Sequence, residues 1–509
     1  MIAAGDLADR LASRPRRFAL LDVREAGEAE DGHIAGATSL PRRRIEFRID
    51  ELISGKATPL VLYDGQDGRA AFAAITLGRL GYSDVTILEG GIPAWLRAGY
   101  RLETGVNVPS KRFGELVLEE DHVESVSPDD LADLRRSGVP FVQWDVRTPA
   151  EYGRSTLPGS MSVPGLEIVR HAAEAASRAV PVIVHCAGRT RSIIAARTLR
   201  LLGVTRAAAL ENGTMGWRLS GRSLAPGRDC VLAGAGSNER AFALAREAGV
   251  GRREPIDVEA ALEERGRRNT VVVDVRSVER FVEAHVPGSV SRPGGQLLQC
   301  TDEVIAVEDA AVILVDDDDG QAAVAGYWLR RMGYPDVTLA AGGVPGWERA
   351  GLPLAGGSDG TRPGFADDLR SELSSVSPKV LATFRALLLD VGTSRDYRAG
   401  HIPGAAWLPR GWLELKAKDV LPPGSAIVVT DMDEDQAILG AAALRDLGYD
   451  AVWLEGGNTG WTLGTGRTFE KAALLPVDLP PDVVDPPYAK GESGMRDYLA
   501  WEIALTRQD

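Results

Sequence analysis

Three short signatures recur four times, in the same order, along this chain, so it must fold as tandem copies of one unit. Leu21-Asp22-Val23-Arg24 returns as Trp144-Asp145-Val146-Arg147, Val273-Asp274-Val275-Arg276 and Leu389-Asp390-Val391-Gly392. A turn follows each: Gly32-His33-Ile34-Ala35-Gly36-Ala37, Ser155-Thr156-Leu157-Pro158-Gly159-Ser160, Ala284-His285-Val286-Pro287-Gly288-Ser289 and Gly400-His401-Ile402-Pro403-Gly404-Ala405. Each unit closes on a glycine-to-tryptophan stretch: Gly90-Gly91 to Trp95, Asn212-Gly213 to Trp217, Gly342-Gly343 to Trp347 and Gly456-Gly457 to Trp461. The aspartates of the first signature are 123, 129 and 116 residues apart. Repeats that long are whole domains and not turns of a solenoid.

Within a unit, apolar runs alternate with helical patterns. In the first, Phe18 to Val23, Leu60 to Tyr63 and Asp84 to Leu88 read as strands buried on both faces, and Ala70 to Leu80 reads as a helix stopped by Gly81. Ser127-Pro128-Asp129-Asp130 and Ser377-Pro378 mark helix starts, with a hydroxyl cap followed by proline. Strand and helix in alternation imply an α/β fold with a parallel sheet. Gly-, Pro- and charge-rich stretches at Arg101 to Glu124, Ser220 to Glu254 and Ala355 to Leu373 place the units at 1-105, 122-224, 250-356 and 374-468. A Pro-rich tail, 469-509, ends in an amphipathic helix from Tyr498 to Leu505, which is expected to dock on its own chain.

Composition narrows the partners. The net charge of -14 over 509 residues argues against nucleic acid or an anionic membrane surface. Three cysteines cannot form a disulfide framework, which fits a reducing compartment. The Met1-Ile2-Ala3-Ala4 start has no signal-peptide pattern, and no apolar run approaches the roughly 20 residues that span a bilayer, so a cytoplasmic protein is expected.

One unit differs in chemistry. Its strand Val182-Ile183-Val184-His185 ends in Cys186, followed by Ala187-Gly188-Arg189-Thr190-Arg191-Ser192 and a helical run. A thiol at the mouth of a parallel sheet, among inward-pointing N–H groups from Ala187 to Ser192 and two guanidinium groups, is set up as a nucleophile that handles anions. Of the two arginines, Arg191 is the expected contact, from its place just before the helix. The equivalent positions elsewhere are Asp64, Asp316 and Asp431, which offer no thiol nucleophile, so those units should be catalytically silent. Their acidic loops read as solvated surface; a site for a divalent cation or a basic partner is the sharper alternative. Cys230 and Cys300 lack a cationic loop and read as ordinary residues, with a resolving or relay thiol as the alternative. His185 should point away from its neighbour Cys186, Asp145 and Arg147 should brace the loop, and Trp217 should pack the unit's core.

The ordered signatures resemble the rhodanese (thiosulfate sulfurtransferase) family over nearly the whole chain, to about Gly464. The resemblance implies four tandem rhodanese-like domains, each a five-stranded, mostly parallel sheet flanked by helices, with Cys186 opening the active loop. Its six-residue length matches the sulfurtransferases; the related phosphatases usually carry one residue more. The implied chemistry is covalent: Cys186 takes the sulfane sulfur of thiosulfate or a similar small anion as a persulfide, then passes it to a thiol, a protein acceptor or cyanide. Neither metal nor cofactor is implied. A cysteine phosphatase, or a persulfide-carrying scaffold without turnover, are the competing readings. The Cys186 unit departs from the family in having Ser155-Thr156-Leu157 where the other units have a histidine turn, and in placing Gly188 one position early.

Overall fold

The computed structural model describes residues 1–178, 180–228, 238–357, 364–381, 386–472 and 477–507. Four separate sheets form, and every registered strand pair in them is parallel. In the second unit the order is Ser125–Val126, Ala207–Leu210, Val182–His185, Val142–Asp145, Met161–Ser162. The third and fourth units repeat this five-stranded order. The first unit has four strands, against the expected five. Its edge strand shrinks to one bridging residue: Ile2 donates to the Ile87 carbonyl at 2.9 Å and accepts from Glu89 N–H at 2.9 Å. The helix Ala4–Ala12 starts two residues later and leaves no length for a strand.

The signatures are structural staples. Asp22, Asp145 and Asp274 end central strands and are fully buried. Each takes hydrogen bonds from the arginine two residues on, whose outer nitrogen also reaches a carbonyl at the following turn: Arg24 to Gly32 (2.6 Å), Arg147 to Ser155 (2.5 Å), Arg276 to Ala284 (2.6 Å). In the fourth unit, where Gly392 replaces the arginine, Asp390 instead accepts from Gly392 N–H and from Asn458. The turn histidines His33, His285 and His401 each bond through Nδ1 to a carbonyl four residues back, a structural task. Thr156 takes that place in the second unit and donates to Asp145 at 2.7 Å. The tryptophans Trp95, Trp217 and Trp347 close their units by donating to the carbonyl six residues on.

Units one to three share a continuous apolar core, in which Ile45, Val117, Ile168, Ile194, Leu297 and Trp328 meet. Trp328, wholly buried, also donates to Thr198 across the contact between units two and three at 2.9 Å. The fourth unit keeps its own core around Leu389, Leu413, Ile427 and Ile438. It joins the first through the buried Arg410–Glu46 pair, the Arg42–Glu414 pair at 2.8 Å, and the Arg69 guanidinium 4.2 Å from the Trp412 ring centre. No helix among the described residues is long and apolar enough to cross a membrane.

Trp328→Ala removes a large side chain from an interface between units. It should cost about 3–5 kcal/mol and split the shared urea transition of units two and three, read by fluorescence and circular dichroism together.

Candidate active site

Cys186 directly follows the buried strand Val182–His185 and is itself 2 % exposed. The loop runs from it into the helix Thr190–Leu201. Its carbonyls are clamped from behind: Thr214 N–H donates to Cys186 O at 2.9 Å and Met215 N–H to Ala187 O at 3.0 Å. Gly213, with φ +51°, touches the Cys186 carbonyl so closely that a Cβ there would collide with it. The second glycine of each closing signature makes the same approach, Gly91 to Asp64, Gly343 to Asp316 and Gly457 to Asp431. That shared contact is why the signature needs glycine.

The three units with aspartate in place of Cys186 show where the loop N–H groups point. Asp64 lies inside its own loop and accepts from the N–H groups of Gln66 (2.8 Å), Gly68 (3.0 Å) and Ala70 (3.0 Å). Asp316 accepts from Asp317 and Gln321, both at 2.8 Å, and Asp431 from Asp433 at 3.0 Å. All three carboxylates are buried, so the expectation of solvated acidic loops fails for their leading residues. Burial foremost pushes Asp316 up to about 6 and Asp431 up to about 7, against the pull of these hydrogen bonds. The loop is thus a nest of N–H groups that three units fill with their own side chain. In the second unit the equivalent N–H groups of Gly188, Thr190 and Ser192 donate to no protein group among the described residues. Cys186 Sγ sits 3.5 Å from Ser192 Oγ at the same place.

The arginines differ from expectation. Arg191 is held by Glu151 in a two-pronged pair at 2.7 and 2.9 Å, with Gln296 at 3.2 Å. It does not stand free to meet a substrate. Glu151 is a helix N-terminal carboxylate, the third residue of a capping box on Thr148. Burial opposes its charge, but Arg191 and the Thr148 bonds outweigh that and bring it down to about 2. The silent first unit builds the same brace from Arg69 and Glu28 at 2.6 and 2.8 Å, so it belongs to the fold. Arg189 is likewise taken up, by Glu115 at 2.6 Å and Asn212 at 3.0 Å. Glu115 comes from a helix, Val108–Glu120, in a stretch that reads as linker in the sequence.

Asp145 and Arg147 lie beneath the loop and pair with each other at 2.6 Å. His185 is fully buried and bonded to Ser160 at 2.7 Å. Burial pushes it down to about 4, against the pull of Asp145, so it is uncharged at neutral pH. Cys300 is pushed up to about 12 by burial and by Glu303 and Asp302, which leaves it an inert thiol. Cys230 lies outside the described residues.

The loop opens into a cavity of about 420 Å³ that also admits the tail. Pro481 packs on Gly27 of the first unit, Asp482 caps Ser394 of the fourth, and Arg395 holds the Val484 carbonyl at 2.6 Å. The helix Gly491–Ala504 then lies on the Cys186 loop through Met495 and Leu499, which pack against Met215. The expected docking of this helix on its own chain is therefore observed, and it lands on the loop. Gly188 makes room for it: a Cβ there would come within 3.0 Å of Met215 and 3.2 Å of Glu502.

Two outcomes are expected. Asp64→Ala leaves three loop N–H groups without an acceptor and should destabilise the first unit by about 1–3 kcal/mol, measured by urea unfolding. Glu151→Gln should weaken the second unit by about 3–5 kcal/mol, since Arg191 stays buried without its counter-charge. The stabilisation from Glu151 is full above about pH 4.5 and lost as the pH falls towards about 2. That acid-sensitive part of the unfolding midpoint should vanish in the variant.

Comparison with known proteins agrees with this architecture. The Rhodanese-like domain family matches at residues 3–98, 127–220, 257–350 and 366–463. A crystal structure of a thiosulfate sulfurtransferase from Pseudomonas aeruginosa superimposes with a TM-score of 0.89 at 35 % identity, covering 100 % of this chain and 97 % of that one. Among curated sequences, the uncharacterized protein YqhL of Bacillus subtilis is 38 % identical over 80 residues, 16 % of this chain and 62 % of its own length. A thiosulfate sulfurtransferase of Pseudomonas aeruginosa is 27 % identical over 185 residues, 32 % of this chain and 66 % of its own. This chain thus spans less than two thirds of either curated relative. With the family matched four times over most of its length, the chain belongs to the rhodanese-like family, as four tandem domains.

Proposed function

We propose that this protein is a sulfurtransferase with one working site, at Cys186, and three silent units. The reading rests on the contrast between loops. Three nests hold a built-in carboxylate, and the fourth presents a sulfur atom beside N–H groups without a protein acceptor. Sulfurtransferases among the similar proteins support the same reading.

In the first half-reaction the Cys186 thiolate attacks the outer sulfur of thiosulfate or a similar small sulfur anion. The S–S bond of the donor breaks and sulfite leaves with the electron pair. The Cys186 persulfide that remains is an anion. The N–H groups of Gly188, Thr190 and Ser192, matching those that reach Asp64 in the first unit, are the donors for it within the Ala187 to Ser192 loop, and the first turn of the helix Thr190–Leu201 adds its dipole. In the second half-reaction a small thiol or a protein thiol attacks the terminal sulfur, and the Cys186 thiolate leaves. Arg191 and Arg189 hold the loop's shape through Glu151 and Glu115, and Asp145 with Arg147 fixes the strand end under it. The surroundings of the thiol are less cationic than two free arginines would make them, so the backbone carries the anion. The units take the boundaries 1-105, 122-224, 250-356 and 374-468 in this reading, and the reaction belongs to the cytoplasm, where thiols stay reduced.

Exposure to thiosulfate should add one sulfur atom to Cys186, seen by intact and peptide mass. Cys186→Ser should lower sulfite release to the level without enzyme, with unfolding unchanged. Equal sulfite release from the variant overturns the proposal.

A further inference from the structure

Glu502 lies 316 positions beyond Cys186 and is 1 % exposed, in the helix Gly491–Ala504. Its two carboxylate oxygens have different fates. Oε1 accepts from the Thr190 hydroxyl of the Cys186 loop at 2.7 Å. Oε2 is buried without a hydrogen-bond partner. It lies where a Cβ on Gly188 would be 3.2 Å away, and Glu502 lines the cavity onto which Cys186 opens. A buried carboxylate oxygen with no donor costs free energy. Such an atom is tolerated at a site where a ligand brings the missing hydrogen. Beside it, burial and then the Glu502 carboxylate hold the Tyr498 hydroxyl protonated, well above its ordinary range, and Lys111 donates to the Val106 carbonyl at 2.6 Å.

The chemistry of the two half-reactions decides which ligand that is. Thiosulfate carries only acceptor oxygens and sulfur, and has nothing to donate to Oε2. A thiol acceptor arrives as S–H and must lose that proton before its sulfur can attack. We propose that Glu502 is a catalytic residue of the second half-reaction, which receives the proton of the acceptor thiol at Oε2. The proposal rests on the sulfur-transfer reading above. In the step, the S–H bond of the acceptor breaks and its proton moves to Oε2. The acceptor sulfur bonds to the terminal sulfur of the Cys186 persulfide, the S–S bond to Cys186 breaks, and the Cys186 thiolate takes its electron pair. The acceptor leaves as a persulfide, and the proton on Glu502 passes to it or to water. No oxidant or reductant is consumed. Meanwhile Oε1 keeps Thr190, and with it the loop, in register.

The glutamine variant tests this, because Glu502→Gln retains an oxygen for Thr190 and loses only the basic carboxylate. The full-length protein is first loaded with sulfur from thiosulfate and freed of donor. Its discharge is then timed with 2-mercaptoethanol and, separately, with sulfite, at a pH where the thiol is protonated and sulfite is mostly the proton-free dianion. The ratio of the thiol rate to the sulfite rate should fall at least about tenfold in the variant, within the range of general base catalysis. Its thiol rate should also rise with pH, following the ionisation of the thiol itself. An unchanged ratio overturns the proposal, whether both rates stay the same or fall together, the latter meaning that Glu502 only holds the loop. If wild-type protein takes up no sulfur from thiosulfate, the sulfur-transfer reading fails and this proposal falls with it. If sulfur loads normally and the ratio holds, only the role of Glu502 is lost.

Discussion

Everything at the end of the central strand is organised around one need: a ring of backbone N–H groups facing inward requires a negative partner. Buried N–H groups without acceptors are costly. Three units meet this with an aspartate placed where the chain leaves the strand, and Asp64 alone takes three such bonds. In the second unit the side chain is a thiol, and the N–H groups of Gly188, Thr190 and Ser192 have no protein acceptor among the described residues. The three aspartate units are therefore more than worn copies. They hold the same loop in a self-satisfied form, and the first and third pack against the Cys186 unit through the core that the first three units share.

The second constraint is that the loop must keep its shape when its occupant changes charge. Arginines provide it by pairing outward to carboxylates: Arg191 with Glu151, Arg189 with Glu115, and in the first unit Arg69 with Glu28. A guanidinium so engaged is a strut with fixed geometry. The carboxylates come from different elements, one at a helix start within the unit and one from the helix Val108–Glu120 that links two units. The loop is thereby tied to its surroundings from several directions.

Much of this was legible in the residues. The four-fold repeat, the alternation of buried strands and helices, and the Ser127 cap followed by Pro128 all report local patterns, and apart from the missing edge strand of the first unit these elements lie close to where the pattern puts them. Cys186 stood out because its three counterparts are aspartates. What the sequence hid was pairing across distance. Nothing near Arg191 says that Glu151 holds it, although Thr148-Pro149-Ala150-Glu151 is readable as a capping box. Glu115 sat in a stretch that reads as linker. Glu502 lies in the tail, and no local rule links it to Thr190. The inward place of Asp64 is not readable because an acidic loop normally faces water; only the backbone geometry shows that the loop N–H groups turn in to meet the carboxylate.

The docking of the helix Gly491–Ala504 on the Cys186 loop also bears on how the molecule comes into being. Domains generally fold as they emerge from the ribosome, N-terminal first. The second unit can collapse around its strand long before residues 491–504 have been translated. During that interval the Cys186 loop has neither Met495 and Leu499 packed beside Met215 nor Glu502 against Thr190. The loop of the nascent protein thus waits, without its last packing partners, until synthesis of the tail supplies them.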